Sequence, residues 1–77
     1  MNTFEKVKEI IAETCEVDAS EVTEQSAIGD FDSWDSMAQL QILNEVEDAF
    51  DISFDPEEMM DLEDVNDIVK AVEAKKA

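Results

Sequence analysis

The chain has 77 residues, with 22 Asp and Glu against five Lys, no Arg and no His, for a formal net charge of -17. A chain this short holds one domain with little room for a deep enzyme cleft, and its charge argues against direct contact with phosphate backbones or anionic lipid surfaces. The single Cys cannot form an internal disulfide. Without His the chain lacks a Cys/His zinc set and the commonest general base.

There is no apolar run long enough to span a bilayer and no signal-peptide core. The expectation is one soluble, cytoplasmic domain over 1–77, monomeric, with no metal site, no nucleic-acid partner and no membrane insertion. Hydrophobic residues make up 44% of the chain and are patterned, which argues against disorder. One Gly and one Pro leave few helix breakers, so the expected fold class is all-α. Every Lys (Lys6, Lys8, Lys70, Lys75, Lys76) lies near a terminus, and all the acids except Glu5 and Glu73 fall between them. Internal ion pairs cannot neutralise that stretch, and its self-repulsion points to a basic partner surface.

The first predicted helix covers about 3–16, capped by Asn2 or Thr3, with Asn2 and Glu5 at capping-box spacing. Phe4, Val7, Ile11 and Cys15 form its apolar stripe with Ile10 alongside, and Cys15 reads as a buried structural thiol among acids. Residues 17–34 form a long connection, with one helical turn over Ser20–Thr23. Val22, Ile28 and Phe31 read as anchors onto the bundle. A loop this long in a compact domain usually has a task, here to span the bundle and place the next helix.

The second helix covers about 36–51, with Asp35 as its N-cap. Ile42, Leu43, Val46 and Phe50 suit a core face. Met37 and Leu40 sit to one side, either as packing filler or as a contact surface for a partner or an acyl chain. Asp55-Pro56-Glu57-Glu58 opens a short third helix over about 56–61, carrying Met59 and Met60. The last helix covers about 64–75, preceded by Asp61 or Glu63, with Leu62 leading into a stripe of Val65, Ile68, Val69 and Val72. The predicted architecture is a four-helix bundle with three longer helices, one short third helix and a long first loop.

Chemistry can sit at Asp35-Ser36. A helix N-terminus offers unpaired N–H groups and about half a positive charge, so a phosphate on a serine there meets donors and a favourable dipole. As a free-standing motif the pair is weak, since a serine there is ordinarily just a cap. The competing pair Asp32-Ser33 precedes Trp34, but the apolar periodicity begins at Met37, so register favours Ser36. Ser33 reads as a loop or capping hydroxyl, and Trp34 as a lid over the loop packing.

Asp35-Ser36-Met37, opening a helix that closes with Val46-Glu47-Asp48-Ala49-Phe50-Asp51-Ile52, resembles the acyl carrier protein family. The likeness extends through Val17, Ser20-Glu21-Val22-Thr23, the Trp34-Asp35-Ser36-Met37 variant of the signature, and the final stripe from Leu62 to Val72. It therefore spans essentially the whole chain. Met37 stands where Leu is usual, a volume-conserving change. Asn44 and Glu45 put polar groups where many relatives are apolar or small, which argues against a long, well-lined acyl cavity. The stretch before Trp34 also departs from the usual Leu-Gly pattern.

The resemblance implies covalent 4′-phosphopantetheine on Ser36, flanked by the signature residues Asp35 and Met37. A Mg²⁺-dependent phosphopantetheinyl transferase would install it, the Ser36 hydroxyl attacking the β-phosphate of CoA. The arm would hold an acyl or aminoacyl group as a thioester for loading and processing enzymes, with no catalytic residue in this chain. Leu40, Glu45, Glu47 and Asp48 are the expected contacts for basic patches on those partners. Fatty acid, polyketide, aminoacyl and cell-surface-sugar pathways all use such modules. The rival of another class is an acidic protein-binding module or nucleic-acid mimic without a prosthetic group. It leaves the apolar rim at the second helix unexplained. A calcium loop from Asp30 fails, with Asp35 where Gly belongs and Gln41 where Glu belongs.

Overall fold

Asn2 opens the first helix, α1 (Thr3–Cys15), by accepting the Glu5 N–H on its side chain at 2.8 Å. The helix stops one residue earlier than its periodicity suggests because Glu16 turns left-handed, with φ 57 and ψ 46. Asp51 does the same at φ 55 and ends α2 (Ser36–Phe50). A left-handed residue with a side chain costs about 1–2 kcal/mol, so packing beyond these termini holds the two breaks. α3 (Pro56–Asp61) matches its expected span, because Pro at the first helical position fixes its start. α4 (Val65–Lys76) starts one residue late: its first turn is capped by Asp64, whose carboxylate accepts the Asp67 N–H at 2.7 Å. This computed structural model describes residues 2–76.

The helical stripes meet in one core. Val7 and Ile11 of α1, Ile42, Leu43 and Val46 of α2, and Val65, Ile68 and Val72 of α4 are fully buried. Each such side chain contributes roughly 1.5–3 kcal/mol on burial. α1 packs against both α2 and α4. Phe4, Phe50 and Val69 are only partly buried at the edges of this core. Cys15 is buried, as its place in the stripe indicates.

The long first loop is docked along its length. Its helical turn falls at Ala19–Glu21, one residue earlier than expected, and Val22 is buried behind it. Residues 24–28 then run antiparallel to the connection between α3 and α4: Asn66 N donates to Glu24 O, Val65 N to Ser26 O and Ile28 N to Glu63 O. Ser26 is buried, and its hydroxyl accepts the Thr23 N–H at 2.9 Å. Gly29, at φ +93, reverses the chain so that its N–H reaches Trp34 O at 2.9 Å. This small closed turn buries Trp34 completely, stacked on Phe31 with ring centroids 6.3 Å apart. Two of the three expected anchors, Val22 and Phe31, therefore pack on the core. Ile28 does not: it is 37% exposed, because its backbone follows the α3–α4 connection at the edge of the bundle.

Candidate functional site

The start of α2 is built by Asp35. Its carboxylate accepts the Ala38 N–H at 2.9 Å and its carbonyl accepts the Gln39 N–H at 2.9 Å. Ser36 is the first helical residue and is exposed. The Ser36 and Met37 N–H groups lie in the first turn, where a helix offers no carbonyl to receive them. Ser33 is engaged differently: its hydroxyl donates to Cys15 O at 2.7 Å, tying the loop to the end of α1. Beneath it, burial pushes the Cys15 thiol above its ordinary value. The Ser33 hydroxyl pulls it down and the Asp35 carboxylate pushes it up, both more weakly.

Ser36 borders a mostly apolar cavity of about 520 Å³ between α2 and α3. Leu40 and Leu43 line it from α2, Met59 and Met60 from α3, and Ile28 and Leu62 from the connections. Met60 is 80% exposed and Leu40 is 56% exposed, so the rim of the cavity is apolar on an acidic molecule, while Met37, also 80% exposed, lies outside the lining. Met37 and Leu40 are thus surface, not packing filler. Asn44 and Glu45 are exposed and absent from the lining, so they do not interrupt the cavity.

The four residues expected to meet partners do not form one patch. Leu40 lies on the cavity edge. Glu45 turns toward α1 and accepts the Thr14 hydroxyl at 2.7 Å. Glu47 is half-buried and accepts the Phe54 N–H at 2.7 Å. Asp48 is exposed, on the helix face that also carries Met37, Gln41 and Asn44.

Gln39 carries no motif and was not legible as a site residue. It is 7% exposed, borders the cavity, accepts the Trp34 indole N–H at 2.7 Å and donates to Leu62 O at 2.7 Å. A polar residue inside an apolar helical stripe, three residues after Ser36, was the available signal. Among the described residues, no buried side-chain nitrogen or oxygen lacks a hydrogen-bond partner. No helix there is long and apolar enough to cross a membrane.

The family model for a phosphopantetheine attachment site matches residues 5–72. An acyl carrier protein of Streptococcus pneumoniae serotype 4 is 49% identical over 73 residues, 95% of each chain. One from Streptococcus pyogenes serotype M3 is 44% identical over 75 residues, 97% of each chain. One from Lactococcus lactis subsp. cremoris is 40% identical over 76 residues, covering 99% of this chain and all of that one. The fold and these matches define a class of small helical carriers bearing a covalent prosthetic arm. The chain belongs to the acyl carrier protein family. It is a carrier protein, and its prosthetic group is covalently bound 4′-phosphopantetheine.

Proposed function

We propose that Ser36 carries the 4′-phosphopantetheine, that the cargo is an acyl chain sheltered in the adjoining cavity, and that partner enzymes approach over the exposed face of α2. The observation that carries the first point is the contrast between the two serines. Both serines are exposed residues, but Ser36 stands at a helix start, while the Ser33 hydroxyl is committed to Cys15 O at 2.7 Å. An exposed hydroxyl beside first-turn N–H groups suits a phosphodiester. The arm, once bound, supplies a thiol that holds the cargo as a thioester.

The chain's own residues hold and orient. Asp35 fixes the helix start that aims Ser36 outward. Leu40, Leu43, Met59 and Met60 offer apolar contact beside the attachment point, which favours an acyl chain over an aminoacyl group. The apolar mouth framed by acids suits enzymes with Lys/Arg patches that must bind and release quickly. The phosphopantetheinyl transferase is the first such partner, and the cytoplasm is the compartment we assign.

The test is incubation with CoA and a phosphopantetheinyl transferase, followed by intact-mass measurement. Wild type and Ser33→Ala should gain one phosphopantetheine mass, and Ser36→Ala should stay folded and gain none. Modification of Ser36→Ala would place the arm elsewhere. A wild type that gains no mass would favour the prosthetic-free acidic module.

A further inference from the structure

Most residues bordering the cavity are exposed or half-buried; only Gln39, Leu43 and Leu62 are buried, and they form its floor. Two of these are apolar. The third is an amide clamped at both ends, by the Trp34 indole on the loop side and by the Leu62 carbonyl on the α3–α4 side. Behind it lies Trp34, which is fully buried and does not border the cavity. Gln39 is thus the partition between the space beside Ser36 and the compartment of Phe31 and Trp34.

Such a partition resists an apolar intruder. Displacing Gln39 breaks two hydrogen bonds and leaves a buried indole N–H and a carbonyl without the partners they have. A methylene chain brings contact area but no donor or acceptor. Leucine at this position would fill space as well, yet it would not fix the side chain between the Trp34 indole and the Leu62 carbonyl.

The geometry points to Gln39 as the length stop of the cavity: it sets how long an acyl chain the carrier shelters, and Trp34 senses when a chain arrives. This rests on the reading that the cavity receives the cargo chain. Up to the stop, each added methylene enters an apolar site. Beyond it, further methylenes remain in water or force the amide aside. Trp34 is the only tryptophan in the chain, so its indole N–H gives one assignable signal.

The experiment loads wild type and Gln39→Ala with saturated acyl groups of increasing length, transferred together with the arm from the corresponding CoA thioesters. Two quantities are read: the rate of thioester cleavage by hydroxylamine and the ¹H–¹⁵N resonance of the Trp34 indole. In wild type, protection should rise by about 4-fold for each methylene sheltered, then level off. The indole resonance should stay fixed for short chains and move at the length where protection levels off. In Gln39→Ala the levelling should shift to longer chains. If that variant does not fold, the wild-type coincidence of plateau and indole shift still decides. A plateau at unchanged length in folded Gln39→Ala, or an indole signal indifferent to chain length in wild type, overturns the role of Gln39. Absence of protection at every length in wild type overturns instead the reading that the cavity receives the chain.

Discussion

The Glu47 carboxylate accepts the Phe54 backbone N–H at 2.7 Å and so ties the last turn of α2 to the linker that enters α3. A second tie meets it from the C-terminus. Lys75 Nζ lies 5.8 Å from the Phe54 ring centroid and pairs with Glu58 at 2.9 Å. Glu58 also accepts the Asp55 N–H at 3.0 Å. α3, the outer wall of the cavity, therefore hangs from Glu47 on one side and Lys75 on the other.

Glu47→Ala should destabilise the fold by about 1–3 kcal/mol, because Phe54 N–H is left part-buried without an acceptor. Asp48→Ala should leave stability near wild type, since Asp48 is exposed and, among the described residues, no hydrogen bond ties it down. Urea unfolding of the two variants at neutral pH checks this. Equal effects would mean that the carboxylates act only through general charge.

The same contrast selects the probe for docking. Reversing Glu47 would confound a partner contact with the loss of a structural bond, whereas Asp48→Lys alters the exposed face alone. Asp48→Lys should slow phosphopantetheine transfer at low salt, and the difference from wild type should shrink as salt is raised, because screening at physiological salt acts over about 8 Å. Stopped-time mass measurements at two ionic strengths give the ratio. Identical rates at low salt would remove Asp48 from the docking face.

The elements that announced themselves did so through side-chain chemistry. Asp55-Pro56 placed α3 because proline can begin a helix but not continue one. Asp35-Ser36 placed the start of α2 because a carboxylate there can take a first-turn N–H. The docking of residues 24–28 beside 63–66 was hidden because it is made of backbone hydrogen bonds, which leave no residue signature. Ile28 was misplaced for the same reason: an apolar residue in a loop reads as a core anchor until the backbone pairing holds it at the edge of the cavity instead. The cavity lies between the faces of α2 and α3, so whether Asn44 and Glu45 interrupt it depended on helix rotation, which places both outside.

Cys15 gives the fold an alkaline limit. Burial first, with Asp35 adding to it and Ser33 opposing, holds the thiol above its ordinary value of 9.0. The folded chain therefore keeps this proton to higher pH than the unfolded chain. Below pH 9.0 the contribution is fully present. As pH rises toward and through the folded value, the unfolded state has already lost its proton and stability falls. Between about pH 9 and 10, before most lysines titrate, the melting temperature should drop less in Cys15→Ala than in wild type. Parallel curves would show that the thiol contributes nothing to the alkaline limb.

The charge imbalance should make the fold respond to salt. Among the described residues, Lys75–Glu58 is the one ion pair within 4.0 Å, so the acids between Lys8 and Lys70 face one another with almost no neutralisation. Folding brings them closer than the expanded chain does, and repulsion opposes it. The structure also supplies a competing effect. Asp35, Asp64 and Asp30 accept the N–H groups of Ala38, Asp67 and Ala27, and Glu47 accepts that of Phe54. Carboxylates at helix starts gain from the dipole, and salt weakens that gain. The two effects differ in reach. A hydrogen bond near 2.8 Å lies inside the screening length at every ordinary ionic strength, whereas repulsion between helices acts across distances comparable to it. Added salt should therefore remove more repulsion than attraction and raise the melting temperature. Millimolar Mg²⁺ or Ca²⁺ should raise it further by binding the folded chain diffusely, since no group of three or more carboxylates or thiols suited to one metal ion occurs among the described residues. Thermal melting of the unmodified protein at neutral pH, in low salt, in added monovalent salt and with each divalent cation, decides the matter. A melting temperature that stays level or falls across the series would show that the capping carboxylates, and not repulsion, dominate the electrostatics of this fold.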